Sequence, residues 1–510
     1  MNRRDFLAAL GGWLAAGGAT GPLVLPGLVL AGPATPFRDD TVADLARHLA
    51  ATPFAKPHAR LESPLDTLNY DQYRDVRFRT EQALWRGEGL KSELQFFPMG
   101  WLFDAPVEIS IVESGAARAI DPDVSLFDFG PLTQAPADGM RFGFSGFRVH
   151  SPINRPDYYD EYAVFQGASY FRCVARGQAY GLSARGLALD TAQAAGEEFP
   201  LFRSFWIEKP AVDTEQLVVH ALLDSPSATG AYRFVLTPGE VTAMDVEVRL
   251  FPRKELANAG LAPLTSMFLF AENDRTRIDD FRAAVHDSDG LAMLNGAGER
   301  LWRPLVNPRA LQASDFLDEH PRGFGLIQRA RELADFQDLE ASYHRRPSLW
   351  VEPLGPWGKG SVSLIEIPTE EEIHDNIVAF WHPAEPLPAG VMHRFAYRLH
   401  WCNEVPDGEW TGATVLRTRA GAAARKPGHE IFAVDFVGAP VTDGERLPAA
   451  VASASAGKLS EPIVQANPDT GGARVSFEFA PETEVAELRL DLRQKDRIVS
   501  EVWMYRWIRS

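Results

Sequence analysis

The chain has 510 residues, of which 45% are hydrophobic, 24% charged and 11% aromatic, a composition typical of a globular protein. Its 69 acidic and 51 basic residues give a formal net charge of -18, which argues against binding to the phosphate backbone of nucleic acids. Because this length exceeds what one hydrophobic core usually organises, the sequence predicts two domains.

Residues 1–31 have the pattern of an export leader. Arg3 and Arg4 precede an apolar run rich in Gly and Ala, and a small-residue cleavage position follows at Ala31. We interpret this segment as a twin-arginine signal peptide, which places the mature protein in the periplasm. The alternative is an uncleaved membrane anchor, which the Gly and Pro residues in the run disfavour. We therefore expect no stable membrane insertion after cleavage.

Two segments near the start of the mature chain have helical character. In residues 39–50, Val42, Leu45, Ala46 and Leu49 fall on one helical face, so the sequence predicts an amphipathic helix. Residues 70–84 form a second helical candidate whose hydrophobic period is ambiguous.

From about residue 94 the sequence changes to short alternating runs separated by turn residues, which is the pattern of antiparallel β-structure. The chain is therefore predicted to be mainly β. We expect a large β-sandwich over residues 32–385, a Pro-rich linker at 383–388, and a smaller immunoglobulin-like β-sandwich over 386–510 with six strands. Residues 448–461 are predicted to form a low-complexity loop.

The two cysteines, Cys173 and Cys402, are far apart in sequence, so a disulfide framework is not expected even in an oxidising compartment. We interpret both as buried small hydrophobic residues.

Residues 343–381 contain the densest mixture of aromatic and charged residues. Indole rings can stack on the C–H faces of sugars, and charged groups can bond sugar hydroxyls, so this composition suits a carbohydrate site. The candidates for sugar contact are Tyr343, Arg346, Trp350, Glu352, Trp357 and Lys359. Alternation puts Trp350 and Glu352 on one face of a strand; by pattern alone, packing in the core is as compatible with Trp350 as contact with a ligand.

Two acidic motifs are further candidates. The first, His286-Asp287-Ser288-Asp289, is compatible with a capped turn, a polar active-site loop or a metal loop, although it lacks the further oxygen ligands of a calcium loop. The second, residues 370–376, leads into an apolar run, where a carboxylate could act as a general acid; a solvated acidic turn is the alternative. A third polar segment, residues 170–186, suggests a hairpin facing a cleft or a purely structural hairpin.

Motifs of several other enzyme classes are missing from the sequence. It contains no Gly-x-Ser-x-Gly elbow, no phosphate-binding Gly loop ending in Lys-Ser/Thr and no His-Glu-x-x-His helix. The sequence thus disfavours a serine hydrolase, a nucleotide enzyme or a zinc protease, and we expect neither a metal nor another cofactor.

Several long motifs resemble the periplasmic osmoregulated-glucan biosynthesis proteins, the G and D proteins. They are YDQYRDVRFR (70–79), GASYFRCVARGQAYGLSARGLALDT (167–191), EEFPLFRSFWIEKP (197–210), VHDSDGL (285–291), RPSLWVEPLGPWGKGSVSLIEIPT (346–369) and DNIVAFW (375–381). The resemblance covers nearly the whole mature chain. The twin-arginine leader favours the D members of this family.

The resemblance implies a galactose-mutarotase-like β-sandwich joined to an immunoglobulin-like domain. It also implies a periplasmic role in glucan biosynthesis, with an inverting endo-β-1,2-glucanase as the expected activity and β-1,2-glucan as the substrate. Carried over from the family motifs, the general acid falls on Asp375, and the second catalytic carboxylate is assigned to Asp287 rather than Asp289. In this family the acid is thought to act through a substrate hydroxyl.

A non-catalytic glucan-binding factor that assists a membrane glucosyltransferase is the alternative function. We expect no nucleic acid partner, and we leave open a homodimer and a functional link to such a glucosyltransferase.

Overall fold

The computed structural model describes residues 30–57, 65–135, 143–275, 278–406, 410–442 and 447–509. Apart from residues 30 and 31, the predicted leader lies outside the described residues. The fold is mainly β, as predicted. The α-helices span Thr41–Ala50, Tyr70–Asp75, Leu333–Phe336 and Ala439–Thr442, and short 3₁₀ turns span Leu65–Thr67, Thr80–Gln82, Val124–Leu126 and Tyr343–Arg345.

The chain divides into two compact units, each built from two separate stretches of sequence. The first unit comprises residues up to 263 together with 380–402, and the second comprises 264–379 together with 403–510. This division does not coincide with the predicted boundary between residues 385 and 386. The assignment of galactose-mutarotase-like and immunoglobulin-like domains to 32–385 and 386–510 stays a prediction.

The first unit contains two large groups of β-strands. One group, in spatial order, is Leu30–Pro36, Ala116–Ile120, Glu108–Glu113, Leu201–Glu208, Leu217–Asp224, Ala228–Thr237, Thr242–Pro252 and His393–Cys402. The other is Glu93–Pro98, Phe144–Arg155, Tyr158–Gln166, Tyr170–Cys173, Ser183–Arg185 and Ala259–Ser266, with Ala188–Leu189 beside the last. A small sheet pairs Val76–Phe78 with Phe127–Phe129.

Aromatic side chains join these two groups of strands into a sandwich. Phe147 and Phe165 of one group contact Phe205 of the other, with ring centroids 5.1 and 5.7 Å apart. Phe171 and Phe234 make a similar contact at 5.2 Å. Alternation along each strand sends these rings to the same inner face, which explains why the sequence pattern predicted a sandwich.

The predicted opening helix forms over Thr41–Ala50, and it buries Val42, Ala43 and Ala46. Leu45, which was expected on the buried face, is 41% exposed. The second helical candidate is mostly wrong, because the helix ends after six residues and continues as strand Val76–Phe78. Its start is fixed by a capping box in which Asn69 and Gln72 exchange side-chain and backbone hydrogen bonds.

The second unit also contains two layers of strands. One layer, in spatial order, is Ser348–Pro353, Gly323–Ile327, Gly290–Leu294, Arg300–Pro304, Val502–Ile508, Val485–Gln494 and Ala449–Ala454, with Arg497–Ile498 paired to Val485–Gln494. The other is Thr414–Ala422, Glu430–Val437, Gly472–Ala480, Lys458–Leu459 and Ile463–Asn467. Further pairs join Phe268–Phe270 with Val285–His286, and Gln312–Glu319 with Lys359–Glu366, beside which Ile377–Pro383 begins.

The core of the second unit lies between its two layers. Phe432 and Phe477 contact Trp503 at centroid distances of 5.8 and 5.9 Å. The expected loop at 448–461 is wrong, because it contains strands Ala449–Ala454 and Lys458–Leu459. Its small residues alternate between half-buried and exposed positions, as the pleat of a strand requires.

Both cysteines are buried in the first unit, as predicted for small hydrophobic residues, and neither forms a disulfide. Across the ranges that the structure describes, no helix is long and apolar enough to span a lipid bilayer.

Candidate functional site

The predicted site residues all lie in the second unit, where the His-Asp-Ser-Asp motif follows a short strand. His286 pairs with Phe268 in an antiparallel bridge, and their rings stack with centroids 5.5 Å apart. The His286 ring also contacts Phe336 edge-on at 5.0 Å. Burial lowers the pKa of His286, so the imidazole is a neutral packing group that fixes the start of the motif.

Asp287 is fully buried and forms an ion pair with Arg346, which is only 2% exposed. The Arg346 guanidinium also lies 4.1 Å from the centre of the Tyr343 ring and donates a hydrogen bond of 3.1 Å to the carbonyl of Ala341. Because each charge neutralises the other, both groups can be removed from water. The pair therefore joins the acidic motif to the start of the 343–381 segment.

Asp289 bonds the backbone, whereas Asp287 pairs with an arginine side chain. Its carboxylate accepts hydrogen bonds from the backbone N–H groups of Arg329 and Ala330, the latter at 2.8 Å. It therefore fixes the chain that follows strand Gly323–Ile327. Together these contacts give the motif the character of a structured polar loop, and the described residues contain no group of three or more His, Cys, Asp or Glu side chains able to hold a metal ion.

Asp375 is exposed, on a loop that enters strand Ile377–Pro383. The next residue, Asn376, is buried and holds the loop in place. Its side chain accepts a hydrogen bond of 2.8 Å from the N–H of Phe268 and donates to the carbonyls of Phe268 and Ile367 at 2.9 and 3.0 Å. The carboxylate of Asp375 is therefore accessible to a substrate, while the backbone next to it is held in place by Asn376.

The two candidate aspartates lie in backbone segments that are hydrogen-bonded to adjacent residues, Met267 and Phe268. The N–H of Asp287 donates to the carbonyl of Met267 at 2.8 Å, while Asn376, beside Asp375, is bonded to Phe268. The structure thus brings the two motifs, which are nearly ninety residues apart in sequence, to the same place in the second unit.

The other end of the Asp375 loop is also anchored. Asn307 donates to the carbonyl of Thr369 at 2.8 Å and accepts from its N–H at 3.0 Å. The N–H of Asn307 donates in turn to Asp274, whose pKa burial raises to about 6, against the opposing effect of this hydrogen bond. The loop therefore starts and ends at side-chain amides that bond the backbone.

Sequence reasoning missed a cluster of charges around Arg282. This buried guanidinium contacts Asp280 at 2.7 Å, Asp338 at 3.0 Å and Glu372 at 2.7 Å, so it links three segments, one of them the Asp375 loop. Burial alone would raise the pKa of Asp338, but the N–H of Ala341 and Arg282 outweigh it and lower that pKa. No spacing in the sequence could have indicated that Arg282, beside Asp280, also pairs with the distant Asp338 and Glu372.

Most of the predicted sugar-contact residues are buried in the structure. Tyr343 and Arg346 are 1% and 2% exposed, and Trp350 and Trp357 are 5% and 7% exposed. Glu352 is half-buried and Lys359 is exposed. Four of the six candidates are therefore buried, and their roles in sugar contact stay a prediction that this burial does not favour.

Trp350 in particular is a core residue. It belongs to the hydrophobic core of the second unit, and its indole lies so close to Gly323 that a Cβ there would be 2.2 Å from the ring. Of the two interpretations left open for Trp350, its burial favours packing in the core, and Leu349 and Val351 on the opposite face are buried as well.

Comparison with known proteins agrees with the motif resemblance. A family profile described as periplasmic glucan biosynthesis protein, MdoG, matches residues 37–507. A glucans biosynthesis protein G of Vibrio cholerae is 51% identical over 474 residues, covering 92% of this chain and 87% of that protein.

Two further relatives carry the same name. The protein of Bradyrhizobium diazoefficiens is 50% identical over 512 residues, covering 99% of this chain and 100% of its own length. The protein of Shewanella baltica is 49% identical over 504 residues, which cover 96% of this chain and 92% of that protein. These relatives carry the G name, whereas the leader had favoured the D members. The chain belongs to the family of periplasmic glucan biosynthesis proteins, MdoG, and this membership supports a role in osmoregulated glucan biosynthesis.

Proposed function

We propose that this protein is an inverting endo-β-1,2-glucanase that shapes the backbone of periplasmic glucans. The observation that carries the proposal is the exposed Asp375 on a loop anchored at both ends. One anchor bonds Phe268, and the preceding residue, Met267, bonds the backbone of the buried Asp287. A glycoside hydrolase of the inverting type needs two carboxyl groups in different roles, and the difference between the exposed Asp375 and the buried Asp287 supports this assignment.

The proposed reaction divides the work between the two aspartates. Asp375 donates a proton to the departing glycosidic oxygen, through a substrate hydroxyl as the family resemblance implies. Asp287 accepts a proton from the water whose oxygen bonds to the anomeric carbon as the glycosidic bond breaks, and the anomeric configuration is inverted. Because Asp287 is fully buried, this water must be enclosed in the site rather than drawn from bulk solvent.

The Arg282 cluster supports the acid. It ties Glu372, three residues before Asp375, to Asp280 and Asp338, so the loop is held by charge as well as by its amide anchors. Preorganised positioning of this kind contributes to catalysis because the group does not have to be ordered when the substrate binds.

The alternative is a non-catalytic glucan-binding factor that assists a membrane glucosyltransferase. The burial of Asp287 favours it, since a carboxylate fully paired with Arg346 also has a purely structural explanation.

Incubation of the purified protein with linear β-1,2-glucan separates the two functions. The enzyme proposal predicts shorter chains over time, whereas unchanged chain length at concentrations that give binding supports the non-catalytic alternative. Glu371, an exposed carboxylate of the same loop, provides the control: Glu371→Gln should cleave like the parent protein.

We further propose that the protein reaches the periplasm by the twin-arginine route. The support is the sequence of residues 1–31, with its Arg3-Arg4 pair before an apolar run.

A further inference from the structure

A groove of about 310 Å³ lies on the first unit, and no residue of the candidate site lines it. It is bordered by the first turn of helix Thr41–Ala50 and by strands Leu201–Glu208, Leu217–Asp224, Ala228–Thr237 and Thr242–Pro252. Neither the predicted function nor the family resemblance uses it. Its volume is at the lower end for sites that bind small molecules, which suits a ligand of one or two sugar rings.

The groove contains a buried histidine with an unused nitrogen. The residue His220 is 3% exposed, and its Nε2 lies 2.7 Å from Oε1 of Glu208. Its ring is held edge-on against Phe37 at 5.1 Å. Among the described residues Nδ1 has no hydrogen-bond partner. Since Nε2–H donates to the carboxylate, Nδ1 of a neutral ring is an acceptor, which a ligand hydroxyl could satisfy.

The groove also offers unused donors. Arg233 is paired with Glu247 at 3.9 Å, which is too long for a hydrogen bond. In the helix, the backbone N–H groups of Val42 and Ala43 have no acceptor among the described residues, because the N-cap carboxylate of Asp40 is directed to Arg249 instead.

The charge balance favours a neutral ligand over an anion. Three carboxylates line the groove, those of Asp39, Glu208 and Glu247, against the two guanidiniums of Arg233 and Arg249. An anion would meet this excess of negative charge, whereas a polyol uses donors and acceptors alike. The apolar residues at the groove, Val42, Ala43 and Ala231, are themselves buried, so the polar side chains would make most of the contacts with a ligand.

We propose that this groove is a second, non-catalytic carbohydrate site that binds one or two hexose units. His220 accepts from a sugar hydroxyl, Arg233 and the helix N–H groups donate to others, and the carboxylates accept from the rest. The identity of the sugar as β-1,2-linked glucose rests on the proposed function; the existence of the site does not.

The test uses the disaccharide of β-1,2-linked glucose as the probe and 5-fluorotryptophan as the reporter. Trp206 is the cross-strand neighbour of His220, and its ¹⁹F signal can be assigned by loss in Trp206→Phe. The full exported chain carries Asp375→Asn throughout, to prevent turnover. The proposal predicts a saturable shift of the Trp206 signal, with at least a tenfold higher Kd in Arg233→Ala and in His220→Gln.

Arg155→Ala is the matched control, because Arg155 forms an exposed ion pair with Asp157 in the same unit and does not line the groove. It should leave the Kd unchanged. A Trp206 signal that does not respond to the disaccharide, or responds equally in Arg233→Ala and the parent, overturns the proposal. A Trp206 signal that shifts with inorganic phosphate but not with the disaccharide also overturns the proposal.

The two proposals fail separately. If the Trp206 shift depends on Arg233 but the parent protein cleaves no glucan, the proposed sugar site stands and the proposed glucanase activity is wrong. If the parent protein cleaves glucan but no such shift is seen, the glucanase activity stands and the proposed sugar site is wrong.

Discussion

At the scale of single residues, the proposed function depends on Asp287 and Asp375. The family motifs indicated Asp287 and Asp375; in the structure the N–H of Asp287 bonds Met267, and Asn376, the residue after Asp375, bonds Phe268. The sequence could not reveal that Asp287 is buried against Arg346, because a pairing across 59 residues leaves no periodic signal.

The Asp287–Arg346 pair predicts a large stability effect. Asp287→Asn leaves the Arg346 guanidinium buried without a counter-charge, which should lower the free energy of unfolding by about 3–5 kcal/mol. Urea denaturation measures this loss. Asp375→Asn is the comparison, because its side chain is exposed and should change stability by less than about 0.5 kcal/mol. Equal stability of the two variants would show that the ion pair is not formed.

The raised pKa of Asp274 predicts that the free energy of unfolding falls as the pH rises, whereas an ion-paired carboxylate gives the opposite dependence. Burial raises its pKa from 3.8 to about 6, so the folded protein holds this proton more tightly than the unfolded chain. Stability should therefore fall as the pH rises from about 4 to about 6, and the full penalty should remain above that range.

Asp274→Asn keeps an acceptor for Asn307 and removes the charge. At pH 7.5 it should raise the free energy of unfolding by up to about 3 kcal/mol, with no gain at pH 3.5. Chemical denaturation at the two pH values measures the difference. Asp279→Asn, an exposed neighbour, should show no such dependence. A gain of the same size at both pH values would contradict the account.

At the level of elements, alternation predicted the strands well and the loops poorly. Strand Ser348–Pro353 was expected at its observed position, yet its two-sided burial was not, because neighbouring strands cover faces that the pattern of one strand cannot specify. Residues 370–376 were predicted to hold a general acid or to form a solvated acidic turn. Their anchoring by the side-chain amides of Asn307 and Asn376 could not be predicted without the tertiary fold.

Asn376→Ala tests whether that anchoring matters. Loss of its side chain leaves backbone groups of Phe268 and Ile367 without partners, which should cost about 2–4 kcal/mol of stability and release the Asp375 loop. Under the proposed function, kcat on β-1,2-glucan should fall at least tenfold. Hydrogen exchange over 369–376 should rise in parallel. His374→Ala, at an exposed neighbouring position, should change neither quantity, and a fully active Asn376→Ala would refute the anchoring.

At the scale of the whole molecule, chain length predicted two domains and the alternating runs predicted a mainly β fold. The structure is mainly β and divides into two compact units. The sequence placed the break at a Pro-rich stretch, but contacts assign residues 380–402 to the first unit and 264–379 to the second. A linear reading assumes that each unit is continuous in sequence. A chain that leaves a unit and returns to it violates that assumption, because strand pairing depends on the fold and not on sequence distance.

The proposed twin-arginine export of the whole chain can be tested by changing the arginine pair. Arg3→Lys with Arg4→Lys should leave the protein inside the cytoplasm, because twin-arginine export depends on this pair. Cell fractionation followed by immunoblotting measures the distribution. Asp5→Asn, beside the pair, serves as the control and should be exported normally. Normal export of the double variant would show that another route is used.

The central claim is that Asp375 donates the proton in hydrolysis of β-1,2-glucan with inversion. The most direct measurement follows the anomeric protons of the product by NMR during cleavage of linear β-1,2-glucan by the parent protein, Asp375→Asn and Glu371→Gln. The account predicts that the parent and Glu371→Gln first release the α-anomer, and that Asp375→Asn is at least a hundredfold slower. Cleavage by Asp375→Asn at the parental rate, or first release of the β-anomer, would contradict it.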